Sequence, residues 1–79
     1  MKIIGRIPHP EFSISVFEMN EKFVVKFEAG AMEQTYKFLK EGLTSMESIE
    51  ALFDQAFIDN IRSRFESMYY DMKRARKQA

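Results

Sequence analysis

Every glycine and proline of this 79-residue chain lies within its first 42 positions: Gly5, Pro8, Pro10, Gly30 and Gly42. From Leu43 to Ala79 neither type occurs. Glycine and proline mark turns and interrupt helices, so the chain reads as a turn-rich sheet followed by an unbroken helical segment. That order defines an α+β fold: an antiparallel β-meander of three strands, with room for a fourth, and then one long or two consecutive C-terminal α-helices. A chain this short supports one hydrophobic core, so residues 1–79 form a single domain. The sheet is expected over about 2–39, the helical segment over about 45–76 and a basic C-terminal end over 73–79.

The clearest strand is residues 22–29, where Phe23, Val25, Phe27 and Ala29 alternate with Lys22, Lys26 and Glu28. Residues 12–19 also alternate, with Phe12, Ile14 and Val16 opposite Ser13 and Ser15, until Phe17 and Met19 take over the apolar parity. Either both faces are partly buried there or a bulge lies near Val16–Phe17. Asn20-Glu21 closes a hairpin between these strands, and Gly30-Ala31 leads into a third strand through Tyr36 and Phe38. Ile3, Ile4 and Ile7 support a further short strand, which Pro8 and Pro10 confine to an edge.

After Gly42, Thr44 and Glu47 match a capping box. Met46, Ile49, Phe53, Phe57, Ile61, Phe65, Met68 and Met72 then recur every three or four residues, a helical stripe. At about 100° per residue from Met46, Ile49, Phe53, Ala56 and Phe57 fall between about 280° and 20°. Ile61, Phe65, Met68 and Met72 fall between about 40° and 100°, the sector that Glu47, Glu50 and Asp54 occupy earlier. One straight helix cannot offer both halves to one flat sheet. Two arrangements resolve the conflict. The segment breaks near Asp54–Asn60, with Asp54 or Asp59 as N-cap, and the second half folds back. Alternatively, Ile49, Leu52, Phe53, Ala56 and Phe57 cover the sheet, and Ile61, Phe65, Met68, Tyr69 and Met72 face a second copy. The second arrangement makes the chain a homo-oligomer, most simply a two-fold dimer.

Few chemistries survive inspection. There is no cysteine, hence no disulfide, thiolate zinc site or thiol nucleophile. His9 is the single histidine, flanked by Pro8, Pro10 and Glu11, and lacks the further ligands that a metal site needs. An extended connector with an exposed imidazole is the simpler reading. Glu47, Glu50 and Asp54 share a helical face, but residues at the first turns of a helix are acidic for dipole reasons alone. No nucleophile elbow or phosphate-binding glycine loop is present. The expectation is therefore no enzyme, no cofactor and no metal.

Twelve basic and twelve acidic residues balance, yet unevenly along the chain. Residues 1–60 carry six basic and ten acidic side chains, while residues 61–79 carry six and two. Arg62, Lys73, Arg74, Arg76 and Lys77 are the candidates for binding phosphate groups, against the alternative that cations near a helix C-terminus complement its dipole. No apolar run approaches the ~20 residues of a membrane span, and Met1 to Pro8 is too short for a signal peptide, so the expected setting is cytoplasmic. The order of strands and a long helix is similar to that of small dimeric modules, among them single-strand-binding coactivator-like proteins. The resemblance is architectural and transfers no site residue.

The leading expectation is a non-catalytic interaction module that assembles with itself, as an accessory subunit of an intracellular complex with a further protein partner. The alternative is a nucleic-acid-associated protein using its basic end.

Overall fold

The computed structural model describes residues 1–78. Four strands form one antiparallel sheet in sequence order: β1 (Lys2–Ile7), β2 (Ser13–Met19), β3 (Lys22–Ala29) and β4 (Met32–Leu39). A short helix α1 (Met46–Glu50) and a long helix α2 (Gln55–Gln78) follow. The additional strand is β1, and it lies at the edge, ending just before Pro8. Among the described residues no helix is long and apolar enough to cross a membrane.

Two-residue loops set the register. Met19 pairs with Lys22 across Asn20-Glu21, and Ala29 pairs with Met32 across Gly30-Ala31. Gly30 opens its loop at φ 61°, where a side chain would be strained. Gly42, at φ 74°, holds the third position of the Lys40–Leu43 turn, closed by the Leu43 amide on the Lys40 carbonyl at 2.9 Å.

The irregularity expected in β2 lies instead in its partner. Pairing of β2 with β3 is continuous, whereas the β1–β2 register shifts between Ile3 and Gly5. The parity change at Phe17 therefore reflects a strand with partly buried residues on both faces. Gly5 stands opposite Val16, and a side chain there would come within 2.8 Å of the Met46 methyl, so α1 packs directly on this backbone.

Both helices cover one side of the sheet. Ile14, Val16, Val25 and Phe27 from the strands meet Ile49, Ile58, Ile61 and Phe65 from the helices. Aromatic rings fill the centre: Phe53 meets Phe27 edge-on with centroids 5.2 Å apart, and Phe57 lies 4.9 Å from Phe53. Of the residues expected to cover the sheet from the first helical half, Leu52 and Ala56 point to solvent instead. They fall in or beside the interruption between the helices.

That interruption resolves the conflict of phase. Ala51 caps α1, and the Leu52 and Phe53 amides bond to the Ile49 and Glu50 carbonyls at 3.1 Å in tightened turns. Asp54 then starts α2: its carboxylate accepts the Phe57 amide at 2.8 Å and its carbonyl the Ile58 amide at 3.1 Å. Four residues outside regular helix rotate the stripe, so Ile49 before the break, Phe53 within it and Ile58, Ile61 and Phe65 after it all face the same sheet. The cap of α1 falls one residue later than expected. Ser45, not Thr44, accepts the Ser48 amide at 3.2 Å, and the Ser48 hydroxyl, not the Glu47 carboxylate, accepts the Ser45 amide at 3.1 Å. A hydroxyl one residue along completes the same reciprocal pair, leaving Glu47 in solvent.

Candidate functional site

Three regions hold the chain's polar chemistry or exposed apolar surface. The first joins the β1–β2 connection to α2. His9 is half-buried rather than exposed: its ring stacks on Phe12 at 4.6 Å, and its Nδ1 accepts the Glu11 amide at 3.1 Å. The Glu11 carboxylate accepts from Arg62 through both oxygens, with Arg62 Nε donating at 2.8 Å. Arg62 also donates to Asp59 at 2.8 Å, and Gln55 donates to the same Asp59 oxygen at 2.9 Å. Arg62 is thus paired with two carboxylates, unlike Arg76 and Lys77, which form no salt bridge among the described residues.

The hydrogen bond from Arg62 holds the Glu11 carboxyl below its ordinary 4.5. Asp59 lies below its ordinary 3.8, first through the Gln55 hydrogen bond and then through Arg62. Both carboxylates have lower pKa values folded than unfolded, so their stabilisation is present above the unfolded values and is lost as pH falls through the folded ones. The sign predicts a chain less stable to urea at pH about 2 than at pH about 5. Glu11→Gln should shrink that difference, since one of the responsible groups no longer titrates. An equal pH dependence in the variant would show that this pair contributes nothing to acid stability. Among the described residues no three histidine, aspartate or glutamate side chains are placed to share a metal ion. Asp54, one of the acidic trio on the helical face, serves as the cap of α2.

The second region is the outer part of α2. At about 1.5 Å per residue this helix is about 36 Å long, and the molecule measures 46 Å along its longest axis against 18 Å on its shortest. Ile61 and Phe65, expected to face a second copy, are buried in the chain's own core, and Met68 packs half-buried against it. This is the fold-back arrangement. The break at Ala51–Asp54 made it accessible. Beyond Met68 the helix leaves the sheet, with Tyr69 at 53%, Tyr70 at 66% and Met72 at 44% of full exposure. Lys73 places its ammonium 5.9 Å from the Tyr69 ring centre, Arg74 lies 3.5 Å from Asp71, and Arg76 and Lys77 are exposed. Ala79, the end of the expected basic segment, lies outside the described residues.

The third region is the side of the sheet that no helix covers. Cross-strand pairing places Ile3, Phe17, Val24 and Lys37 in one row, and Met19, Lys22 and Leu39 in the next. Arg6, Ser15, Lys26 and Thr35 form the row on the other side. Sequence parity assigns Lys22 and Lys26 here, but it separates rings from charges, and the structure does not. Phe17 shares this face, with the Lys26 ammonium 5.4 Å from its ring centre. The signal was the parity change at Phe17 and Met19, which transfers those two side chains to the lysine face.

Comparison with protein-family models, curated proteins and solved structures finds no match to this chain.

Proposed function

We propose that this chain is a non-catalytic module that assembles with itself as a two-fold dimer and serves as an accessory subunit of a larger cytoplasmic complex. The observation that carries this reading is the exposed end of α2. Tyr69 and Met72 continue the stripe of Phe65 and Met68 past the edge of the sheet, where no described residue buries them. Tyrosine and methionine are the residue types that adapt to and dominate protein contacts. Charge favours an antiparallel arrangement of two α2 helices. The outer end of one, rich in Lys73, Arg74, Arg76 and Lys77, then approaches the other copy's acidic first sixty residues. Light scattering at high micromolar concentration tests the reading. The expected mass is twice the 9.4 kDa of one chain, and a monomer rejects it.

A second reading rests on Arg76 and Lys77, which form no salt bridge among the described residues. A basic helix end can follow a phosphate backbone, with binding that weakens steeply as salt is added. Truncation after Met72 removes four basic residues and no buried side chain among the described residues, so the fold should persist. Retention of DNA or RNA by the full chain, abolished by this truncation, would favour the nucleic-acid reading. Equal retention by the truncated chain would eliminate the basic end as the binding element.

A further inference from the structure

The open face of the sheet is unusual in a chain with no net charge. Val24 is only 2% exposed although no helix covers it. Its neighbours on that face are Lys22 and Lys26 along β3, and Phe17 and Lys37 across to β2 and β4. Diagonal neighbours in a sheet lie roughly 7–8 Å apart, so the three lysines crowd around one apolar centre. Their aliphatic stems shield the valine and their ammonium groups rim it. Arg6 extends the cationic rim across β1. Lys26 has a counter-ion in Glu33 at 3.5 Å, but among the described residues Arg6, Lys22 and Lys37 form no salt bridge. The two acidic residues of this face, Glu28 and Glu33, sit together at its far end beside Ser13. Between the cations lie Phe17 and Met19, half-buried, with Ile3 at 46% and Leu39 at 57% exposure at opposite corners.

We propose that this face is a docking surface for an acidic amphipathic helix of a partner protein. The spacing and the charge both select that occupant. Lys22 and Lys26 are four residues apart on one strand, a separation of about 13 Å at about 3.3 Å per residue. A helix of about 10–12 Å diameter laid across the strands fits between them. Its apolar stripe rests on Ile3 and Phe17, carboxylates along its two borders meet Lys22 on one side and Lys26 and Arg6 on the other, and Lys37 closes the row beyond the shielded Val24. A single-stranded nucleic acid suits the surface less well. Stacking of successive bases uses several ring faces, and Phe17 is the one aromatic side chain on this face among the described residues. A second copy stacked sheet on sheet would oppose lysine with lysine.

The test is a titration of the full isotope-labelled chain with a synthetic 16-residue helical peptide, leucines at helical spacing bordered by glutamates. The expected result is a shift of the Ile3, Phe17, Val24 and Leu39 amide resonances, with none from the same peptide carrying lysine for glutamate. Lys22→Glu with Lys37→Glu should weaken binding at least roughly tenfold, and the milder Lys22→Ala with Lys37→Ala should weaken it less. Both sites are exposed, so the variants should keep the wild-type sheet resonances outside this face. The proposal is overturned if the glutamate peptide leaves these resonances unmoved, or if the variants bind it as wild type. A fifteen-residue oligothymidylate binding this face more tightly than the peptide would overturn it as well. None of these readouts depends on whether the chain is dimeric.

Discussion

Replacing Phe65 with glutamate is expected to unfold the chain. Phe65 is 5% exposed, with its ring 5.6 Å from that of Phe12 and its neighbours drawn from both the sheet and α2. Truncating a buried phenylalanine costs about 3–5 kcal/mol through lost transfer energy and the cavity left behind. A carboxylate at the same place adds the cost of burying an unpaired charge. Native domains hold only about 5–15 kcal/mol in all, and a chain of this length sits near the lower end. Circular dichroism should show loss of the sheet signal and no cooperative melting. A folded monomer would instead mean that Phe65 faces a second copy, and that α2 leaves the sheet one turn before Met68.

The pair Tyr69→Glu and Met72→Glu should behave in the opposite way. These side chains lie about one and two turns further along α2, roughly half exposed, and exposed substitutions usually change stability by less than about 0.5 kcal/mol. Melting should therefore remain cooperative, while light scattering falls from the mass of two chains to that of one. Two large apolar side chains gain about 1.5–3 kcal/mol each when fully buried, and each ~1.4 kcal/mol is a factor of ten in affinity. Loss of the pair, with two like charges placed on each facing copy, should raise the dissociation constant beyond the micromolar range. A double variant that remains dimeric would move the self-association surface away from α2. Together the two substitutions locate the point between Phe65 and Tyr69 where intramolecular cover ends.

Local chemistry alone was sufficient for much of the fold. Alternation along Lys22–Ala29 and turn residues at Asn20-Glu21 and Gly30-Ala31 are properties of a few adjacent residues, and the pairing of β2, β3 and β4 follows from them. The same holds for the conflict in the helical stripe, since rotation per residue is a constant of the helix. Its resolution was not local. Whether Ile61 and Phe65 met the chain's own sheet or another molecule depended on where the helix broke. No glycine or proline marks the break; a single carboxylate, Asp54, capping the amide of Phe57 was enough, and such caps compete closely with continued helix. The fate of Arg62 was likewise beyond the sequence, because Glu11 lies 51 positions away and meets it only when α2 crosses the β1–β2 connection. The cationic face was half legible. Parity placed Lys22 and Lys26 on it, but Phe17, Lys37 and Arg6 joined them through cross-strand register. Register is a relation between strands, decided by the core residues on the opposite side of the sheet.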